Sequence, residues 1–83
     1  MSKETTIINI RGMCLDMARY ANGFNSAIQI LYRDTVAHPE RIADIAGYCI
    51  KYCDNLIAEM RKQRRVLVRA RYELRKEQEN EKD

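Results

Sequence analysis

The residues best suited to chemistry in this sequence are the cations of one short segment. Residues 61–76 hold eight basic side chains and one acidic side chain, Glu73, which gives the segment a net charge of +7. Six of the eight are arginines, whose planar guanidinium group matches phosphate oxygens better than a lysine ammonium does. Eight cations along about 22 Å of helix predict a surface that binds a polyanion, with nucleic acid as the expected ligand.

The rest of the charge sets this segment apart. Residues 1–60 carry six basic and seven acidic side chains, and residues 77–83 carry one basic and four acidic side chains. The formal net charge of +3 therefore hides a strongly basic segment followed by an acidic tail. Tyr72 lies among the cations and could stack on a base. The residues predicted to bind nucleic acid are Arg61, Lys62, Arg64, Arg65, Arg69, Arg71, Tyr72, Arg75 and Lys76.

A solvated helix end is the alternative interpretation of these charges. Glutamates follow the cations at helical spacing, as in Arg69–Glu73 and Arg75–Glu79, and opposite charges four residues apart attract each other on a helix. The cations would then be paired within the chain. They could also bind an acidic protein surface or an anionic membrane.

Three cysteines and one histidine are the other reactive residues. Cys49 and Cys53 lie four residues apart, and a two-fold dimer could bring four such thiolates to one zinc ion. The apolar periodicity places both on the inward side of a helix, where a free cysteine acts as a small apolar residue. The odd cysteine count indicates a reduced, cytoplasmic protein. We therefore expect no metal site and no cofactor.

No combination of residues in the sequence indicates catalysis. There is no Ser-His-Asp set, no glycine-rich phosphate loop and no inward pair of carboxylates. We expect a protein that is not an enzyme and has no small-molecule substrate. No apolar run reaches the roughly 18 residues that cross a membrane, and no signal peptide is visible, so we expect no membrane span.

Two long helices must position the basic segment. Apolar residues recur at alternating steps of three and four in both halves of the chain, which is a heptad pattern. Pro39 suits the first position of a second helix. The predicted contact line, or seam, contains Ile7, Ile10, Cys14, Met17, Ala21, Phe24, Ile28, Leu31 and Thr35 in the first helix and Ile42, Ala46, Cys49, Cys53, Leu56, Met60, Gln63, Leu67, Ala70 and Leu74 in the second.

The fold expected from this pattern is an all-α, coiled-coil-like antiparallel hairpin that forms a single domain, 1–83. A connection of two or three residues forces the helices to run antiparallel. The matched register places Phe24 opposite Cys49, and it places the basic segment opposite the first twelve residues. The predicted elements are helix 1 at about 5–36, a turn at 36–38, helix 2 at about 39–78 and an acidic tail at 77–83.

The apolar arc is wider than one helix pair can cover. A second copy would cover it and produce a four-helix bundle with two-fold symmetry, so we expect a homodimer. The alternative is a protein-interaction module, such as an adaptor, co-chaperone or inhibitor, that binds a helix of another protein through the same surface. The residues predicted to form the dimer or partner interface are Met13, Tyr20, Ala27, Ile45, Ile50, Tyr52 and Ile57.

Residues 5–37 also resemble ribbon-helix-helix DNA-binding proteins in part. Ile8-Asn9-Ile10-Arg11 is similar to their N-terminal strand, and Gly23-Phe24-Asn25 followed by Ile28 is similar to their inter-helix turn. The resemblance implies a dimeric two-stranded ribbon in which Asn9 and Arg11 read DNA bases. In outline, the hairpin is also similar to small plasmid-encoded RNA-binding helical hairpins that dimerise into four-helix bundles.

Overall fold

Two helices joined by a short turn make up the molecule. The computed structural model describes residues 2–82, with side chains described for residues 2–80. Helix α1 spans Lys3–Ala37, a 3-10 turn spans Pro39–Arg41, and helix α2 spans Ile42–Lys82. This confirms the all-α hairpin. The predicted acidic tail continues α2 as far as Lys82, and Asp83 lies outside the described residues.

A side-chain cap starts α1 earlier than the sequence predicts. The extended backbone of Ser2 lets its Oγ accept a hydrogen bond from the backbone N–H of Thr5 at 3.2 Å. Its carbonyl oxygen accepts another from the N–H of Thr6 at 3.1 Å. Glu4 in the first turn interacts favourably with the positive end of the helix dipole. The side chain of Ser2 thereby satisfies one of the otherwise unpaired amides of the first turn, that of Thr5.

The strand implied by the ribbon-helix-helix resemblance is absent. Residues 8–11 lie within α1, and so does Gly23, where that resemblance places a turn. The β-branched side chains near the start of α1 favour a strand by propensity. Packing of the heptad pattern against a second helix outweighs this preference, which amounts to a few tenths of a kcal/mol per residue.

His38 and Pro39 reverse the chain. The N–H of His38 donates to the carbonyl oxygen of Asp34 at 2.7 Å and so closes α1. Pro39 lacks an N–H and keeps the residue before it out of the helical region, so α1 ends there. The N–H of Arg41 then donates to the carbonyl oxygen of His38 at 2.9 Å, which adds a 3-10 turn before α2 begins.

The added 3-10 turn changes which residues meet in the seam. Phe24 lines a groove together with Tyr52 and Leu56, about one helical turn away from its predicted level at Cys49. Within the described residues, only Leu31, 9% exposed, and Ile45, 4% exposed, are buried hydrophobic residues. The predicted seam residues that the structure leaves exposed are Cys14, Ala21, Ile42, Ala46 and Cys53.

The hairpin is an extended rod. It measures 67 × 16 × 16 Å and has a radius of gyration of 19.0 Å. A compact chain of this length has a radius of gyration of about 12 Å. Neither helix, over the residues described, has an apolar stretch long enough to cross a bilayer.

Leu31→Ala tests the seam beside the turn. Removing this buried side chain should lower the free energy of unfolding by about 2 kcal/mol or more, because a cavity remains between the helices. Urea unfolding followed by far-UV circular dichroism measures the change.

Ile30→Ala is the matched control, because Ile30 is the adjacent residue and is 57% exposed. It should change the free energy of unfolding by less than about 0.5 kcal/mol. Equal losses in both variants would contradict the seam described here.

Candidate nucleic-acid interface

The basic segment 61–76 lies on the outward side of α2. Gln63, Leu67, Ala70 and Leu74 are half-buried against α1. At 100° per residue, these four positions fix the inward side of the helix, so the positions between them face outward. The structure accordingly leaves all eight predicted cations exposed.

None of these cations is paired with a carboxylate among the described side chains. Arg69 and Glu73 do not form the ion pair that their spacing allows, and neither do Arg75 and Glu79. The ion pair between Arg19 and Asp16 at 3.5 Å and the contact between His38 Nδ1 and Glu40 Oε1 at 3.3 Å both lie outside the segment. The guanidinium and ammonium groups of 61–76 are therefore available to an external anion.

An aromatic ring stands among the cations. Tyr72 is 63% exposed. Positions three and four residues away on a helix are its surface neighbours, and here they are Val68, Arg69, Arg75 and Lys76. A flat ring flanked by cations is the arrangement that single-strand-binding proteins use, because the ring stacks on a base while the cations contact neighbouring phosphates.

A groove connects the basic segment to α1. Its α1 side is formed by residues close to the start of that helix, as the sequence predicts, and Arg65 and Arg69 lie along its α2 side. The groove residues are Thr6, Asn9, Ile10, Met13, Arg65, Val66, Arg69, Ala70 and Glu73. The predicted cationic surface thus reaches the junction of the two helices.

One row of α2 changes from apolar to cationic along its length. Ala43, Ile50, Ile57, Arg64 and Arg71 recur every seven residues, so they lie in line along a supercoiled helix. All five are exposed. The surface near the turn and the surface near the far end of the rod therefore differ in chemistry.

The predicted dimer-interface residues do not form one surface. Ile45 is buried between the helices, so it packs inside the hairpin and is not an interface residue. Tyr20 and Tyr52 line the same side groove, whereas Ile50 and Ile57 lie in the row described above on the other side. Of the remaining two, Met13 and Ala27 are half-buried. Sequence reasoning missed the burial of Ile45 because it placed Ala46, the next residue, in the seam.

The three cysteines differ in how much of each side chain is buried. Cys49 is half-buried, whereas Cys14 and Cys53 are exposed, which corrects the prediction that Cys53 faces inward. Among the described residues, no group of three or more histidine, cysteine, aspartate or glutamate side chains could hold a metal ion.

Comparison with known proteins gives no match: no protein-family model, no curated protein and no solved structure is similar to this chain. Its function is therefore inferred from its own residues and their arrangement.

Proposed function

We propose that this protein binds nucleic acid through the outward surface of residues 61–76. The observation that supports the proposal is the set of eight exposed cations without a carboxylate partner, placed around the exposed ring of Tyr72. Phosphate groups would replace the missing carboxylates. Because the contacts are made to phosphates, binding is largely independent of sequence and weakens as salt is added.

Tyr72 adds a preference for unpaired bases. A ring that protrudes from a helix can stack on a base only where that base is not already stacked within a duplex. Single-stranded segments and loops would therefore bind more tightly than a duplex of equal charge.

We also propose that the functional form is a homodimer. The hairpin exposes 6902 Å² of surface. A compact monomer of this mass exposes about 5,200 Å². The excess of about 1,700 Å² falls within the range of about 1,000–2,500 Å² per chain that obligate dimers bury.

The same exposed apolar surface favours a competing function as a protein-interaction module. In that case the purified chain would be monomeric, and it would acquire a stable assembly only with a different protein. Sedimentation of the purified chain separates the proposed homodimer from this competing function, since an interaction module would be monomeric on its own.

Charge reversal tests the cationic surface. The triple variant Arg65→Glu/Arg69→Glu/Arg71→Glu should weaken binding of a labelled single-stranded oligonucleotide by at least about 100-fold at about 50 mM salt, because phosphate contacts dominate the affinity. Fluorescence anisotropy measures the dissociation constant.

The control variant, Arg33→Glu/Arg41→Glu/Lys51→Glu, reverses three exposed cations outside the segment and changes the net charge equally. It should bind nearly as tightly as the wild-type chain. The proposal fails if the wild-type chain does not bind at this salt concentration, or if both triple variants lose affinity equally.

A second test concerns stacking by Tyr72. Tyr72→Ala should weaken single-strand binding by roughly 5- to 150-fold, which corresponds to about 1–3 kcal/mol, whereas Tyr72→Phe should retain it. Tyr48→Ala removes a ring that is 49% exposed but lies in the half of α2 near the turn, so it should leave the affinity unchanged. Wild-type affinity in Tyr72→Ala would remove Tyr72 from the site.

A further inference from the structure

One side of the hairpin, in the half that includes the turn, carries no charged residue. We call it the apolar face. Helical geometry places its positions next to the seam on the same side of both helices. Ten of its twelve residues are exposed, and the other two, Ile28 and Met60, are half-buried. The apolar face consists of Cys14, Ala18, Ala21, Asn25, Ile28 and Tyr32 from α1 and Ala43, Ala46, Ile50, Cys53, Ile57 and Met60 from α2.

The opposite side of the same half is charged. A groove there contains four charged residues, Asp16 and Arg19 from α1 and Glu59 and Lys62 from α2, beside the apolar side chains of Tyr20, Phe24, Tyr52 and Leu56. The two sides therefore differ in charge, since only the apolar face could pack against a partner without burying a charged side chain. Exposed apolar surface of this extent on one side of a rod marks an interaction site.

We infer that the occupant of the apolar face is a second copy of this chain, packed face to face in the opposite direction. This inference rests on the proposed homodimer and assigns it a surface and an orientation. The excess exposed surface of about 1,700 Å² supplies the area that a stable dimer requires. The face also contains both bulky side chains, such as Ile50 and Ile57, and small ones, such as Ala18 and Ala21, so ridges on one copy fit grooves on the other.

Repulsion between the basic segments of the two copies favours the opposite orientation. On this side of the hairpin, the rows that carry the apolar face continue at the far end as Arg11 and Glu4 on α1 and as Arg64 and Arg71 on α2. Two copies in the same direction would place their basic segments, each of net charge +7, side by side. Opposite directions separate the segments by more than a Debye length, so their repulsion is screened.

The opposite orientation also brings unlike charges together. When the centres of the two apolar faces coincide, the start of α2 in one copy reaches the level of Arg64 in the other. That start carries Glu40, Arg41 and Asp44, all exposed, and its net charge of −1 is opposite in sign to that of the basic segment. The dimer is therefore a four-helix bundle whose two basic segments 61–76 lie at opposite ends.

The two exposed cysteines, Cys14 and Cys53, distinguish the opposite orientation from the parallel one. Cys53 lies near the middle of the apolar face, so the two-fold axis brings the Cys53 residues of the two copies close together. Cys14 lies at the end of the face, which separates the two Cys14 residues by about 30 Å along the bundle. In the parallel arrangement, the two Cys14 residues would lie at one level along the bundle and the two Cys53 residues at another. Cys14 and Cys53 would then cross-link to a similar extent.

Ile50→Glu tests the surface. Ile50 is 62% exposed on the apolar face, and Ile30, the control, is 57% exposed on the opposite side. Sedimentation should show dimers for the wild-type chain and for Ile30→Glu, and a dissociation constant at least about 100-fold higher for Ile50→Glu, because a buried unpaired charge is costly. Equal dimerisation of both variants would overturn the assigned surface.

Cross-linking of folded single-cysteine chains tests the orientation and does not depend on the behaviour of Ile50→Glu. With a short bismaleimide, Cys14→Ser/Cys49→Ser should give a covalent dimer through Cys53, and Cys49→Ser/Cys53→Ser should give none. Equal cross-linking of both overturns the opposite orientation. A monomeric wild-type chain overturns the dimer itself, whereas nucleic-acid binding is decided separately by the anisotropy measurements.

Discussion

The line of contact between α1 and α2 is the interaction on which the rest of the molecule depends. Two helices can meet along only one stripe each, so a hairpin has no enclosed interior. This is why Leu31 and Ile45 are the buried hydrophobic residues of the described chain while the other seam residues that pack are only half-buried. Most of the helix surface therefore remains exposed. Its residue composition differs along the rod and between the two sides.

The helices and the turn could be predicted because their signals are local. Heptad spacing and Pro39 are visible in the sequence, and so is the concentration of arginine in 61–76. The rotation of each helix about its own axis was harder to predict from the sequence. It depends on the backbone of His38 and on the 3-10 turn after it, which decide whether Ile45 or Ala46 enters the seam. An error of one position moved Ile45 from the interior to a supposed interface.

The exposure of the predicted cations was easier to foresee than the burial of the predicted interface residues, for a physical reason. Cations on an amphipathic helix face solvent whatever the detailed rotation, since the half-buried positions between them exclude charge. The absence of the Arg69–Glu73 and Arg75–Glu79 pairs could not be read from spacing. Such exposed pairs are worth only a few tenths of a kcal/mol, so side-chain entropy can prevent their formation.

The position of the turn has a consequence for how the hairpin forms and opens. Leu31 and Ile45 are close in sequence and lie beside the turn, so bringing them together closes only a short loop. Because each later layer of contacts adds to the one before it, we expect the two helices to pair progressively from the turn at residues 38–41. We expect the start of α1 and residues 61–76 to join last and separate first, with the fastest amide hydrogen exchange of the helices. The basic end is consequently the part of the rod that can fray, and expose the inner edge of α2, without unfolding the half near the turn.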